Sequence, residues 1–186
     1  MSTGLIVIGV VALVLVWVVA TFNRLVALRN RVQNGWAEID VQLKRRHDLV
    51  PSLVETVRGY MEHERSVLET VTQARFGAVA AGNNVLERSV AESALTAALT
   101  GLFARVENYP QLQAVESTQL LQEQLTSIEN RIAFARQFYN DEVMKYNTAQ
   151  TTFPRNLFAG MLGFSSASMF TATEGDRAVA QVKLSA

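Results

Sequence analysis

An uncharged run, Leu5 to Phe22 (LIVIGVVALVLVWVVATF), constrains this chain more than any other feature. As a helix it extends about 27 Å, close to the hydrocarbon thickness of a bilayer. A buried core helix or a cleaved signal peptide would share that composition. A signal peptide, however, opens with basic residues and closes on a small-x-small site. Met1-Ser2-Thr3-Gly4 carries no basic side chain, and Val18 to Asn23 offers a poor cleavage site. Residues 1–22 therefore read as a short tail and an uncleaved anchor. Trp17 and Phe22 fall towards its downstream end, where aromatic rings suit the membrane interface.

Charge supplies the orientation. Arg24, Arg29 and Arg31 follow the anchor closely, and only the α-amine precedes it. The positive-inside rule then puts the N-terminus outside and the rest of the chain in the cytoplasm. The same three arginines are candidate contacts to anionic lipid head groups, so membrane lipid is an expected partner. Formal net charge is zero, which implies no bulk attraction to nucleic acid. The chain has no cysteine, which excludes disulfides, iron–sulfur clusters and thiolate nucleophiles.

Residues 23–153 read as a helical body. Apolar residues at Val32, Trp36, Ile39 and Leu43 alternate steps of four and three, the pattern of a helix packed on other helices. The next, Val50, comes seven on, so the phase survives Lys44-Arg45-Arg46-His47-Asp48 and continues through Leu53, Val57 and Tyr60. Two structures fit. The helix can pass through Pro51 with a kink, or reverse in a turn at Arg46–Leu49 with Asp48 as N-cap and Pro51 in the next first turn.

Length favours the turn. Later stretches run from Pro51 to the stop at Gly82-Asn83-Asn84, from Val85 to Asn108, and from Leu112 to Thr152. An unbroken helix to Ala81 would protrude nearly 90 Å beyond the anchor. The expected fold is therefore all-α: an N-terminal transmembrane helix followed by an antiparallel, up-and-down bundle of three to four long helices.

After Pro154 the character changes, so residues 154–186 read as a tail. Phe153, Leu157, Phe158, Met161, Leu162, Phe164 and Phe170, interleaved with glycine and serine, are too apolar for a free segment. They are candidate membrane-interface or oligomer contacts. From Thr171 on, a weak alternation at Ala180, Val182 and Leu184 reads equally as an added strand or as a disordered tail.

Several motifs together resemble the LemA family of bacterial membrane proteins. They are Asp40-Val41-Gln42-Leu43-Lys44-Arg45-Arg46-His47-Asp48-Leu49-Val50-Pro51, Glu107-Asn108-Tyr109-Pro110, Glu129-Asn130-Arg131-Ile132-Ala133 with Tyr139-Asn140, and Phe153-Pro154 with Gly163-Phe164. The resemblance runs to about Phe170. It implies an anchored helical bundle in the bacterial inner membrane, with no established enzymatic activity, and one branch is linked to building magnetosome membranes.

The chemistry-bearing residues have structural readings. His47 beside Asp48 suggests a base oriented by a carboxylate, but neighbours on a helix point about 100° apart. His63-Glu64 has Val67 four residues on, so it makes no HExxH site. A carboxylate-rich metal set would need Glu55, Glu62 or Glu107 beside His63, and neither metal nor cofactor is expected. Lys44, Arg45, Arg46, His47 and Asp48 form a candidate polar layer with Glu129, Asn130 and Arg131 across the bundle, fixing register.

The expected function is a non-enzymatic, membrane-anchored scaffold that self-associates as a homo-oligomer. The alternatives are an adaptor subunit for a membrane-protein partner, such as a membrane protease, or an enzyme using His47 and Asp48.

Overall fold

The computed structural model describes residues 2–170. The alternation at Ala180, Val182 and Leu184 lies outside the described residues. Within them the chain is all-helical: α1 (Ser2–Arg58), a 3-10 turn (Glu62–Glu64), α2 (Arg65–Ala80), α3 (Val85–Val106), α4 (Pro110–Gln113), α5 (Glu116–Thr151) and α6 (Asn156–Ala159).

The turn expected at Arg46–Leu49 does not exist. One helix runs through it, with Pro51 inside and Asp48 exposed mid-helix instead of capping anything. The cause lies far away in sequence. Pro51 has no N–H to give the His47 carbonyl four residues back. Arg75 Nε, from α2, donates to that carbonyl at 2.7 Å, so the group that the proline orphans is satisfied. The chain reverses instead at Gly59–Met61, where Tyr60 and Met61 both donate backbone N–H to Val57 O at 3.1 Å. The length argument assumed a helix reaching Ala81. Stopping at Arg58, the part of α1 beyond Phe22 is about 54 Å long, the same as α5.

That match lets α5 lie along α1. Gly35 meets Tyr139 and Arg46 meets Glu129, so residue numbers rise on one helix as they fall on the other and the pair is antiparallel. Contacts from Asp40 to Arg88 and from Arg46 to Glu92 and Thr96 set α3 parallel to α1. A short turn joins α2 to α3; Gly82 takes a φ of +63°, and Asn84 caps α3 by accepting from the N–H groups of Leu86 and Glu87.

Two cores result. Near the apolar end, Leu25, Val32, Ile39 and Leu43 of α1 pack against Ile132, Tyr139, Val143 and Tyr146 of α5, with Ala159, Phe164 and Phe170. At the far end, Val50, Leu53 and Val57 pack against α2, α3, Leu112 and Leu125. The stretch beyond Tyr109 expected as one helix divides into α4 and α5, separated by Ala114 and Val115. Residues 5–16 of α1 are exposed along their length, and α1 holds a window long and apolar enough to cross a membrane.

Candidate functional site

The charged cluster in the middle of α1 divides by helix face. Lys44, Arg45 and Asp48 are exposed, while Arg46 and His47 are buried. Arg46 sits at the one seam position missing from the apolar pattern, between Leu43 and Val50, and is only 1% exposed. Such a charge costs several kcal/mol to bury unless paired and hydrogen-bonded. Its guanidinium pairs with Glu92 of α3 and Glu129 of α5. It also donates to Thr96 Oγ1 at 2.8 Å and to the Glu92 carbonyl at 3.3 Å. One side chain of α1 thereby ties together three helices.

Glu92 is the centre of the network. It stands at the head of the apolar seam formed by Leu95, Leu99, Leu102 and Val106 on α3. His47 Nε2 stands 2.9 Å from its Oε1, and Arg88 Nε stands 4.0 Å away. Arg88 reaches back to Asp40 at 2.5 Å and lies over the Trp36 ring at 5.6 Å. Burial pushes the Glu92 carboxyl up, but the His47 contact and the charges of Arg46 and His47 outweigh it and hold the group below its ordinary value. Glu92 is therefore a carboxylate at neutral pH.

This arrangement suits a structural clamp. The geometry does not set Asp48 against His47; the imidazole faces Glu92 instead. Asn130 and Arg131 are exposed on α5, with Arg131 lining a shallow surface pocket beside Arg45 and Asp48. His63 is exposed in the 3-10 turn, and no group of three metal-ligating side chains converges among the described residues. A cavity of about 220 Å³ adjoins Arg46, Glu92 and Glu129, and Phe170 lines it.

The tail residues are sorted in the same way. Phe158 meets Trp17 edge-on at 5.9 Å and Phe164 meets Phe22 at 5.5 Å, which returns the tail to the apolar end of α1. Leu162 is half-buried against the core, and Phe170 is buried within it. Phe153, Leu157 and Met161 are exposed, Met161 by 85%. Arg24, Arg29 and Arg31 are exposed just past the apolar run.

Sequence reasoning missed Glu92, Arg88, Thr96 and Arg75. For Glu92 a signal existed, a charge at a seam position of an otherwise apolar helix face. Arg75 carries no local signal, because its partner is a backbone carbonyl on another helix.

An all-helical body continuous with a long N-terminal helix, tied by a buried ion network, defines an all-helical protein with one candidate membrane span among the described residues. The family model of the LemA family matches residues 35–184, and the chain belongs to that family. Similar proteins include magnetosome protein MamQ 2 and magnetosome protein MamQ 1 of Paramagnetospirillum magneticum, each 26% identical over 80% of this chain. Magnetosome protein MamQ of Magnetospirillum gryphiswaldense is 24% identical over the same share. The chain spans 64% of the length of each of these relatives.

Proposed function

We propose that this chain is a non-enzymatic scaffold, anchored in the bacterial cytoplasmic membrane through residues 5–22, whose helical body self-associates on the cytoplasmic face. The observation carrying this reading is the continuity of α1. One helix is bare and apolar at its start and packed at its end, so the body is built on the anchor itself. The body is an up-and-down bundle in which α1 and α3 run outward and α2 and α5 return. Arg24, Arg29 and Arg31 beside the apolar run support the cytoplasmic placement and would contribute about 1 kcal/mol each against anionic lipid.

Exposed Phe153, Leu157 and Met161 lie on and beside α6, which packs on Trp17 at the apolar end of α1, and they offer apolar surface to the membrane interface or to a second copy. The names of the relatives, magnetosome proteins, support a role in organising membrane. Mass determination in detergent micelles tests the proposal: oligomers across the accessible concentration range are expected, and a monomer throughout would refute it. A second reading, an adaptor for a membrane-protein partner, is favoured by Phe134 and Val90, each more than 70% exposed on the body. Proximity labelling that returns one membrane protein in place of further copies of this chain would favour it.

A further inference from the structure

The bare part of α1 is too short to cross a bilayer by itself. Residues 5–16 are exposed, Trp17 and Val18 are half-buried, and Thr21 and Leu25 are buried. Leu5 to Val16 extends about 18 Å as helix, against about 30 Å of hydrocarbon. Thinning the bilayer to meet that shortfall costs more with every ångström. The run to Phe22 reaches about 27 Å, so Trp17 to Phe22 must also lie in the lipid if the run is to span.

The chain that follows α5 covers Trp17 to Phe22. Gly35 lies against Tyr139, and counting along the antiparallel pair puts Thr151, the last residue of α5, beside Asn23. Residues 153–164 therefore lie past the end of α5, alongside the apolar run. Phe158 meets Trp17 edge-on at 5.9 Å, and Phe164 meets Phe22 at 5.5 Å. Trp17 is about 7.5 Å along α1 from Phe22, and the segment reaches at least that far.

Its composition and backbone suit lipid. Arg155 is the single charged residue between Lys145 and Phe170. It is half-buried, and a long cationic side chain can carry its head group to the phosphates. Phe153, Leu157 and Met161 are exposed. The N–H groups of Phe158 and Ala159 donate to Arg155 O at 3.0 and 2.9 Å, Leu162 to Phe158 O at 2.9 Å, and Phe164 to Ala159 O at 3.0 Å. Such internal bonding is what a backbone in hydrocarbon requires. The segment is also pinned downstream. Asn147 accepts from and donates to the main chain of Ala167, both at 2.9 Å, and Asn140 does the same for Phe170 at 2.8 and 3.0 Å.

We propose that residues 153–164 form a second membrane element, a foot immersed beside Trp17 to Phe22 with Phe153, Leu157 and Met161 against lipid. The proposal rests on the reading of residues 5–22 as an anchor and is independent of self-association. Lipid is the occupant because these side chains stand at the level of the span, where lipid already surrounds α1. The body is then set into the leaflet instead of standing clear of it. Arg24, exposed just past the run, comes to head-group level, where a cation meets anionic lipid.

A depth measurement on the full chain in liposomes of phosphatidylcholine and phosphatidylglycerol tests this. The chain has no cysteine, so single spin labels can be placed through Leu157→Cys, Met161→Cys, Val11→Cys and Lys44→Cys, all at exposed positions. Accessibility to oxygen against a water-soluble nickel chelate reads the depth. The labels at Leu157 and Met161 should lie about 5–10 Å below the head-group boundary, with Val11 deeper and Lys44 in water. Leu157 and Met161 labels in water, with the Val11 label in lipid, would overturn the foot and leave the anchor standing. A Val11 label in water would sink the anchor reading and the foot with it. Leu157 and Met161 labels shielded from both reagents would also overturn the foot, since protein and not lipid then covers them. Circular dichroism checks helix content, and Phe153→Cys takes the place of either foot label that lowers it.

Discussion

The two halves of the body hold α1 by different means. Near the apolar end, α1 meets α5 through a close approach and an apolar seam. A Cβ added at Gly35 would lie 3.2 Å from Tyr139 Cα, so the helices touch nearly backbone to backbone. At the far end, α1 is held by the buried ions around Arg46 and by α2 and α3 packed over Val50, Leu53 and Val57. The first contact depends on shape, and the second on satisfied polarity. Shape-based packing tolerates small volume errors, whereas a buried ion that loses a partner is left stranded.

That contrast yields five predictions, taken from the largest effect to the smallest. Glu92→Ala removes one of the two carboxylates that pair with Arg46 and the one that His47 faces. The loss should destabilise the body by about 3 kcal/mol, read from urea unfolding of the micelle-bound protein. A milder result, below about 1 kcal/mol, would place the strength of the far half in its apolar core alone. The same residue sets the acid response. Its folded pKa is lowered, so its contribution is complete above the ordinary value of 4.5 and is lost as pH falls below that. Glu92→Gln should flatten that part of the acid unfolding curve.

Gly35→Leu drives a side chain into Tyr139 and Phe138 and should cost about 2 kcal/mol, with the loss confined to the half near the apolar end in hydrogen-exchange maps. Arg75→Ala leaves the His47 carbonyl without its donor and should cost about 1.5 kcal/mol. In a Pro51→Ala background the helix N–H returns, so Arg75→Ala should then cost clearly less, by double-mutant cycle. Equal costs in both backgrounds would mean that Arg75 does not compensate for the proline. Smallest of all, Arg45→Ala and Asp48→Ala should each change stability by less than about 0.5 kcal/mol, since both side chains face solvent.

How much of this was legible depended on where the partners lay. The seam from Val32 to Val57 repeats every three and four residues, so helix type and the face of α1 were readable. The ion network was half-readable. Arg46 interrupts such a seam and Glu92 heads one, but only Arg46 and Glu129 stand out by motif, and the geometry that joins them to Glu92 needs α3 in place. Pro51 misled because the turn reading weighed only local costs. The device that lets the helix pass is an arginine on α2, and nothing near Pro51 in sequence announces it. Asn140 and Asn147, seven apart on α5, read as ordinary surface residues, because what they recognise is main chain and main chain leaves no mark in composition.

The unbroken α1 also acts as a lever arm. A hinge after the apolar run would let the body point anywhere; here the direction of residues 5–22 is inherited by everything packed on the same helix. With about 54 Å of helix beyond Phe22, a 10° change in tilt at the base moves the far end by roughly 9 Å. If residues 5–22 span a bilayer as proposed, tilting is one response to a change in its thickness, and such a tilt would be magnified into a displacement about the width of one helix at Arg58.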